Sequence, residues 1–135
     1  MKEKLYYLEN NINKDFDCIG EEMLLRISLD TRDKTLIVNF NGELDHHSAE
    51  EIRKEIDKIY FDKGLKNIVL DLKKLNFMDS SGIGLIMGRY KNVSDNGGKL
   101  FVVNASSRVD KILRMSGIQK IVQICESLED IPDNI

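Results

Sequence analysis

The apolar positions along the chain follow two periods in turn. Met23, Leu25, Ile27 and Leu29 fall at every second residue, the spacing of a half-buried strand. Leu36, Val38 and Phe40 repeat that spacing after the short polar stretch Thr31–Lys34, which predicts an antiparallel hairpin. The period then changes. Ser48 with Glu51 three residues on reads as a capping box, predicting a helix from about Ala49. Its inner face would be Ala49, Ile52, Ile56, Ile59 and Tyr60, with a stop before Gly64. Asn67–Leu72 (NIVLDL) is a nearly continuous apolar run, the mark of a strand covered on both faces. Asp79-Ser80-Ser81-Gly82 follows, and Ile83, Ile86, Met87 and Tyr90 then recur at helical spacing until Asn96-Gly97-Gly98. Leu100–Val103 predicts a further strand and Ser106-Ser107 a further helix, with Val109, Ile112 and Leu113 inward and Gly117 as its end. Lys120–Ile124 predicts a last strand, and Pro132 limits any closing helix to about one turn.

Strand–helix alternation after the hairpin demands right-handed crossovers and therefore parallel pairing. The expected fold is a single α/β domain over residues 23–135, with a mixed, mostly parallel sheet, an antiparallel first strand and packed helices. Residues 1–22 are polar and form an N-terminal extension outside that pattern; a short helix over Lys2–Glu9 would be marginal on its own.

Composition narrows the function classes. The chain has 135 residues and a net charge of −3, enough for one domain with a real core and no basic field that would favour nucleic acid. Lys63, Lys66, Lys73 and Lys74 form a local basic cluster in the sequence, read as a solvated rim. Cys18 and Cys125 match no metal spacing and read as free thiols. No apolar run is long enough to span a membrane, and the charged start lacks the apolar core of a secretory signal, so a cytoplasmic location is expected.

The chemistry concentrates where the first crossover strand meets its helix. Gly82, Gly84 and Gly88 are spaced one residue too far for a dinucleotide-binding loop, and no cofactor is expected. Gly84 and Gly88 instead leave a smooth helix face that a strand or a partner can approach. Asp45-His46-His47 with Asp79 has metal-ligating residue types. Adjacent residues of an extended segment point apart, so no metal is expected; one imidazole should pack or cap the helix and the other be solvated. Ser80 as a nucleophile with His46 as base would make a small hydrolase, but Ser80 lacks the nucleophile-elbow context. Ser80 and Ser81 at a helix start can also be simple first-turn residues. The free N–H groups and positive dipole end found there equally favour a phosphate.

Two separated strings decide among these readings. MDSSGIGLIMGRYK at Met78–Lys91 and GELDHHSAE at Gly42–Glu50 resemble a STAS domain, and within it the anti-sigma factor antagonists of the sporulation type. The resemblance runs from about Met23 to Ile124 and includes RMSGI at Arg114–Ile118. It implies a STAS-like fold and no catalytic activity. It also implies that the unphosphorylated domain binds an anti-sigma factor that is itself a serine kinase, freeing the sigma factor. Phosphorylation would fall on Ser80, with Ser81 as fallback, and would end binding; a metal-dependent phosphatase of the PP2C type would reset it. By the same resemblance the partner-binding set is Asp45, His46, Asp79, Ser80, Ser81 and Gly82, with Asp45 facing an arginine of the partner. The extension at residues 1–22 has no counterpart in the resemblance and motivates an alternative, a STAS scaffold subunit acting through assembly.

Overall fold

The computed structural model describes residues 25–133. Strand β1 (Leu25–Arg32) turns through Asp33 and Lys34 into β2 (Thr35–Leu44), and the two pair antiparallel from Leu25↔Gly42 to Arg32↔Thr35. Helix α1 (His46–Asp62), β3 (Asn67–Met78), α2 (Ser80–Asp95), β4 (Leu100–Val103), α3 (Ser107–Ser116) and β5 (Gln123–Cys125) follow, with short 3-10 turns at Ile118–Lys120 and Leu128–Asp130. The sheet order is β1-β2-β3-β4-β5, with every pair after the hairpin parallel. This is the mixed sheet that the strand–helix alternation predicts.

One face of the sheet carries the main core. Leu25, Ile27, Leu36, Val38, Phe40, Ile68, Leu70 and Val102 meet Ile52, Ile56 and Tyr60 of α1, Leu85, Ile86 and Val93 of α2, and Val109 and Leu113 of α3. On the opposite face Ile37, Val69, Phe101 and Val103 are covered by Cys125, Leu128 and Ile131. Because NIVLDL is buried on both faces, it reads as a continuous apolar run.

β3 is longer than that run. Its register with β2 jumps twice, so that Asn39↔Asp71 is followed by Asn41↔Lys74, and Gly42↔Leu75 by Glu43↔Phe77. Each jump leaves one extra residue on β3, and such bulges bend and twist a strand locally. β4 pairs only with Ile68–Asp71, so the rest of β3 continues beside β2 past the end of the ladder with β4. The last burial positions, Leu75 and Met78, fall three apart and obey neither period expected of a sheet.

Two expected boundaries and one helix face move. α1 starts at His46, not Ala49, because Asp45 is the N-cap and Ser48 its reciprocal partner; the expected Ser48–Glu51 box does not form. The inner face of α2 is Gly82, Leu85, Ile86, Arg89 and Val93, while Met87 is 39% exposed. The apolar positions at Ile83, Ile86, Met87 and Tyr90 place that face about one residue off. The last strand begins at Gln123, since Ile118–Lys120 closes a 3-10 turn first. The expected extension at residues 1–22 lies outside the described residues.

Candidate functional site

All three helices follow parallel strands, so their N-termini gather at one end of the sheet. Asp45 opens α1 and Asp79 opens α2, each in extended backbone. Asp45 Oδ1 accepts from the backbone N–H groups of His47 (2.9 Å) and Ser48 (3.2 Å), and the Asp45 N–H donates to Ser48 Oγ (3.3 Å). Burial pushes the Asp45 carboxyl up, but the Ser48 and His47 backbone donors, the His47 charge and the Ser48 hydroxyl together hold it below its ordinary value. Asp79 Oδ1 accepts from the Ser81 N–H at 2.8 Å, and its own N–H donates to the Leu44 carbonyl at 3.2 Å. That last bond ties the two caps together.

Gly82 explains how α2 can start so abruptly. It is buried, and a Cβ there would lie 2.8 Å from Met78 Sδ and 3.2 Å from Leu44 Cδ2. The helix seats its first turn directly on the last residues of β2 and β3, which only a residue without a side chain allows. Of the expected contact set, Gly82 is the member that faces inward, and it sets the turn.

Ser80 is the first residue of α2 and is exposed; among the described residues its hydroxyl makes no hydrogen bond. Ser81 is half-buried and lines an open cleft of about 310 Å³ between α1 and α2, together with His46, Ala49, Glu50, Arg53, Gly84 and Leu85. His46 and His47 are both exposed, with ring centroids 4.0 Å apart. The expectation that one of them packs or caps the helix is therefore corrected, since Asp45 takes the cap. Both histidines lie in a helical first turn and not in an extended segment, which is why their rings sit together. His47 Nδ1 is 3.7 Å from Asp45 Oδ2. No group of three metal-ligating side chains occurs among the described residues. Neither serine hydroxyl is hydrogen-bonded to a histidine among them, so Ser80 has no base in place.

Sequence reasoning missed one feature of the site. Arg89 of α2 is only 4% exposed and reaches Asp57 of α1, with Nε 2.9 Å from Oδ1 and Nη2 donating to Oδ2 at 3.3 Å. The Nε contact lacks hydrogen-bond alignment and acts by charge alone. Nη1 donates to the Leu85 carbonyl at 3.2 Å, and Asn92 Nδ2 to Asp57 Oδ1 at 3.1 Å. Burial pulls the guanidinium below its ordinary value, Asp57 pulls it back up, and Arg53 adds to the lowering. This clasp fixes the spacing of the two helices whose first turns carry the site. A charged residue at the inward position between Ile86 and Val93 was its sequence signal.

At Gly84 and Gly88 an added Cβ would meet nothing within 4 Å, so among the described residues no strand approaches the smooth face of α2. The face is open along the same helix that starts with Ser80.

Known proteins share this fold. The STAS domain family model matches residues 26–131. An anti-sigma F factor antagonist of Paenibacillus polymyxa is 41% identical over 105 residues, covering 78% of this chain and 90% of the relative. The solved structure of the anti-sigma factor antagonist SpoIIAA in its unphosphorylated form superimposes with a TM-score of 0.68 at 32% identity, covering 76% of this chain and 90% of that one. The Bacillus cell fate determinant SpoIIAA in the phosphorylated form superimposes at 0.61 with 31% identity, covering 76% and 94%. The chain belongs to the STAS-domain family and, within it, to the anti-sigma factor antagonists.

Proposed function

We propose that this protein binds an anti-sigma factor through the end of the sheet that carries Asp45, His46, Asp79, Ser80 and Ser81. The partner is also a serine kinase, binding frees its sigma factor, and transfer of phosphate to Ser80 ends the complex. A PP2C-type phosphatase restores the binding form, and the cycle runs in the cytoplasm. The chain acts by binding and carries no catalysis of its own. The observation that carries this reading is the Ser80 hydroxyl, exposed at the first position of α2 and without a partner among the described residues.

The geometry suits a modification that leaves the fold intact. A phosphate adds roughly −1.5 to −2 charges and three acceptor oxygens. At the start of α2 the unsatisfied N–H groups and the helix dipole offset part of that charge. A partner surface fitted to a neutral hydroxyl has no such compensation. Loss of an interfacial hydrogen bond plus an unpaired charge costs several kcal/mol, or on the order of a thousandfold in affinity.

Intact mass after incubation with ATP and the anti-sigma F factor of Paenibacillus polymyxa tests the reading. A single phosphate mapping to Ser80, absent from Ser80→Ala, is expected. Binding without any phosphate would refute the switch, and a phosphate retained in Ser80→Ala would move it to Ser81.

A further inference from the structure

The opposite end of the sheet gathers the loops that precede each parallel strand, and with them a cluster of basic residues. The backbone brings these loops together: the Lys66 and Asn67 N–H groups both donate to the Lys34 carbonyl, and the Ile68 N–H to the Lys99 carbonyl. The four loops, residues 32–34, 63–66, 96–99 and 117–122, hold the basic residues Arg32, Lys34, Lys63, Lys66, Lys99 and Lys120 and the acidic Asp33, a formal +5 in a chain whose total is −3, with Lys63 already engaged. All six basic residues are exposed. Asp62 and Asp95, at the nearby helix ends, are engaged by Lys58 at 2.9 Å and Lys91 at 3.0 Å. Three helix C-termini face this end with about −0.5 charge each. That offsets less than half of the excess.

The same end carries the three most exposed large apolar side chains among the described residues: Met115 (78%), Phe61 (56%) and Ile121 (44%). Each sits in or beside the last turn of α1 or α3, or in the 117–122 loop. Phe61 stacks edge-on against Tyr60, which holds its ring in place. Lysines alone would be a solvated rim. Lysines spread among protruding apolar tips match a surface that is anionic outside and apolar beneath.

We propose that this end of the domain docks on an anionic lipid bilayer. The charges run from the β1–β2 turn to the loop before β5, the whole width of a five-stranded sheet, or about 20 Å at the usual strand spacing. Such a spread suits a planar surface better than a strand of nucleic acid held in one groove. The lysine ammonium groups act as point charges at the headgroups, and Phe61, Met115 and Ile121 enter the interface below them. Docked this way, the domain points Ser80 away from the membrane, since the helix N-termini lie at the far end of every parallel strand.

Sedimentation of the full chain with vesicles tests this. Retention is expected on vesicles of phosphatidylglycerol and phosphatidylcholine in equal parts, several-fold weaker at 0.2 M than at about 0.05 M salt, and absent on phosphatidylcholine alone. The triple variant Lys34→Glu, Lys66→Glu, Lys99→Glu should lose at least tenfold in retention while keeping its melting temperature, because these residues contribute backbone and not side-chain bonds to the loops. Phe61→Ser with Ile121→Ser should weaken the retention that survives at high salt. No retention on the anionic vesicles at low salt, or equal retention of the charge-reversed chain, would overturn the proposal. So would a short DNA duplex that strips the protein from the vesicles and shows the same dependence on the three lysines, in favour of a nucleic-acid surface. Binding of an anti-sigma factor at the Ser80 end enters none of these readouts.

Discussion

The two ends of the sheet are built from the same strands and helices and differ in almost every physical respect. At the Ser80 end, residues 42–45, 78–81, 104–106 and 126–127 hold Glu43, Asp45, Asp79 and Glu126 with no lysine or arginine. Two of these carboxylates are spent on capping helices, and the serine hydroxyl beside them faces solvent. At the other end the charge is positive outside, and two amides, the buried Asn67 and the exposed Asn96, close the loops over the core. Asn96 Nδ2 donates to the Leu65 carbonyl (3.0 Å) and to Tyr60 Oη (3.2 Å), and Tyr60 Oη donates to the Lys66 carbonyl (2.7 Å). Asn67 joins Thr35 Oγ1 to the Lys99 N–H across three strands. One end is cross-linked between strands and helices by side chains that satisfy backbone groups of other elements. The other keeps its polar groups at the surface, where they can change partners. Polarity of the sheet imposes the division, because parallel strands put every helix start on one side.

The comparison breaks most sharply at Ser80. Ser80→Glu should weaken binding of the proposed anti-sigma factor partner about a thousandfold, roughly 4 kcal/mol, with a melting temperature near that of the unmodified chain. Calorimetric titration beside a thermal melt checks both halves, and a large loss of stability would mean that the turn belongs to the core.

Removing the clasp between the helices comes next. Asp57→Ala leaves the Arg89 guanidinium buried and unpaired, which should cost about 3–5 kcal/mol in urea unfolding. Arg89→Met with Asp57→Leu should recover most of that loss. Failure to recover would show that the clasp sets more than the charge balance.

Two glycines sharpen the contrast. A Cβ on Gly98 would meet the Lys66 carbonyl oxygen at 1.8 Å, a backbone atom that cannot yield, whereas at Gly82 the nearest atoms belong to side chains, Met78 Sδ at 2.8 Å first. Gly98→Ala should therefore destabilise by about 3 kcal/mol or more and leave binding intact. Gly82→Ala should cost about 1–2 kcal/mol and also weaken binding by tilting Ser80. Equal effects on both readouts would erase the distinction between the ends.

The smallest effect is one of pH. The Asp45 carboxyl is held below its ordinary value of 3.8, so its contribution is full above that pH and fades as pH falls through the lower folded-state value. The melting difference between the unmodified chain and Asp45→Ala, about 1 kcal/mol for a lost cap, should persist to pH 4 and shrink only below it. A difference that vanishes by pH 5 would mean the cap is not made.

How much of this is legible in the chain varies with the range of the interaction involved. The hairpin, the crossover order and the helix stops at Gly64 and Gly117 all follow from local rules of period and capping, and these local rules survive into the fold. The start of α1 is misplaced by local rules because two overlapping capping boxes are possible near Ser48, and only the position of β2 selects Asp45. The inner face of α2 is misplaced because Met87 looks like core until Gly82 is pressed onto Leu44 and Met78, which rotates the helix by about one residue. The cluster of Lys63, Lys66, Lys73 and Lys74 is split: its first two members join Arg32, Lys34 and Lys99 at one end, and the other two lie on the far half of β3. Sequence alone singled out the Asp-Ser-Ser-Gly turn, and its resemblance to the STAS family is what makes Ser80 the proposed switch residue. Only the tertiary structure decided which charges stand together and which way they face, because that depends on strand order and crossover direction, and neither is a property of any short stretch of chain.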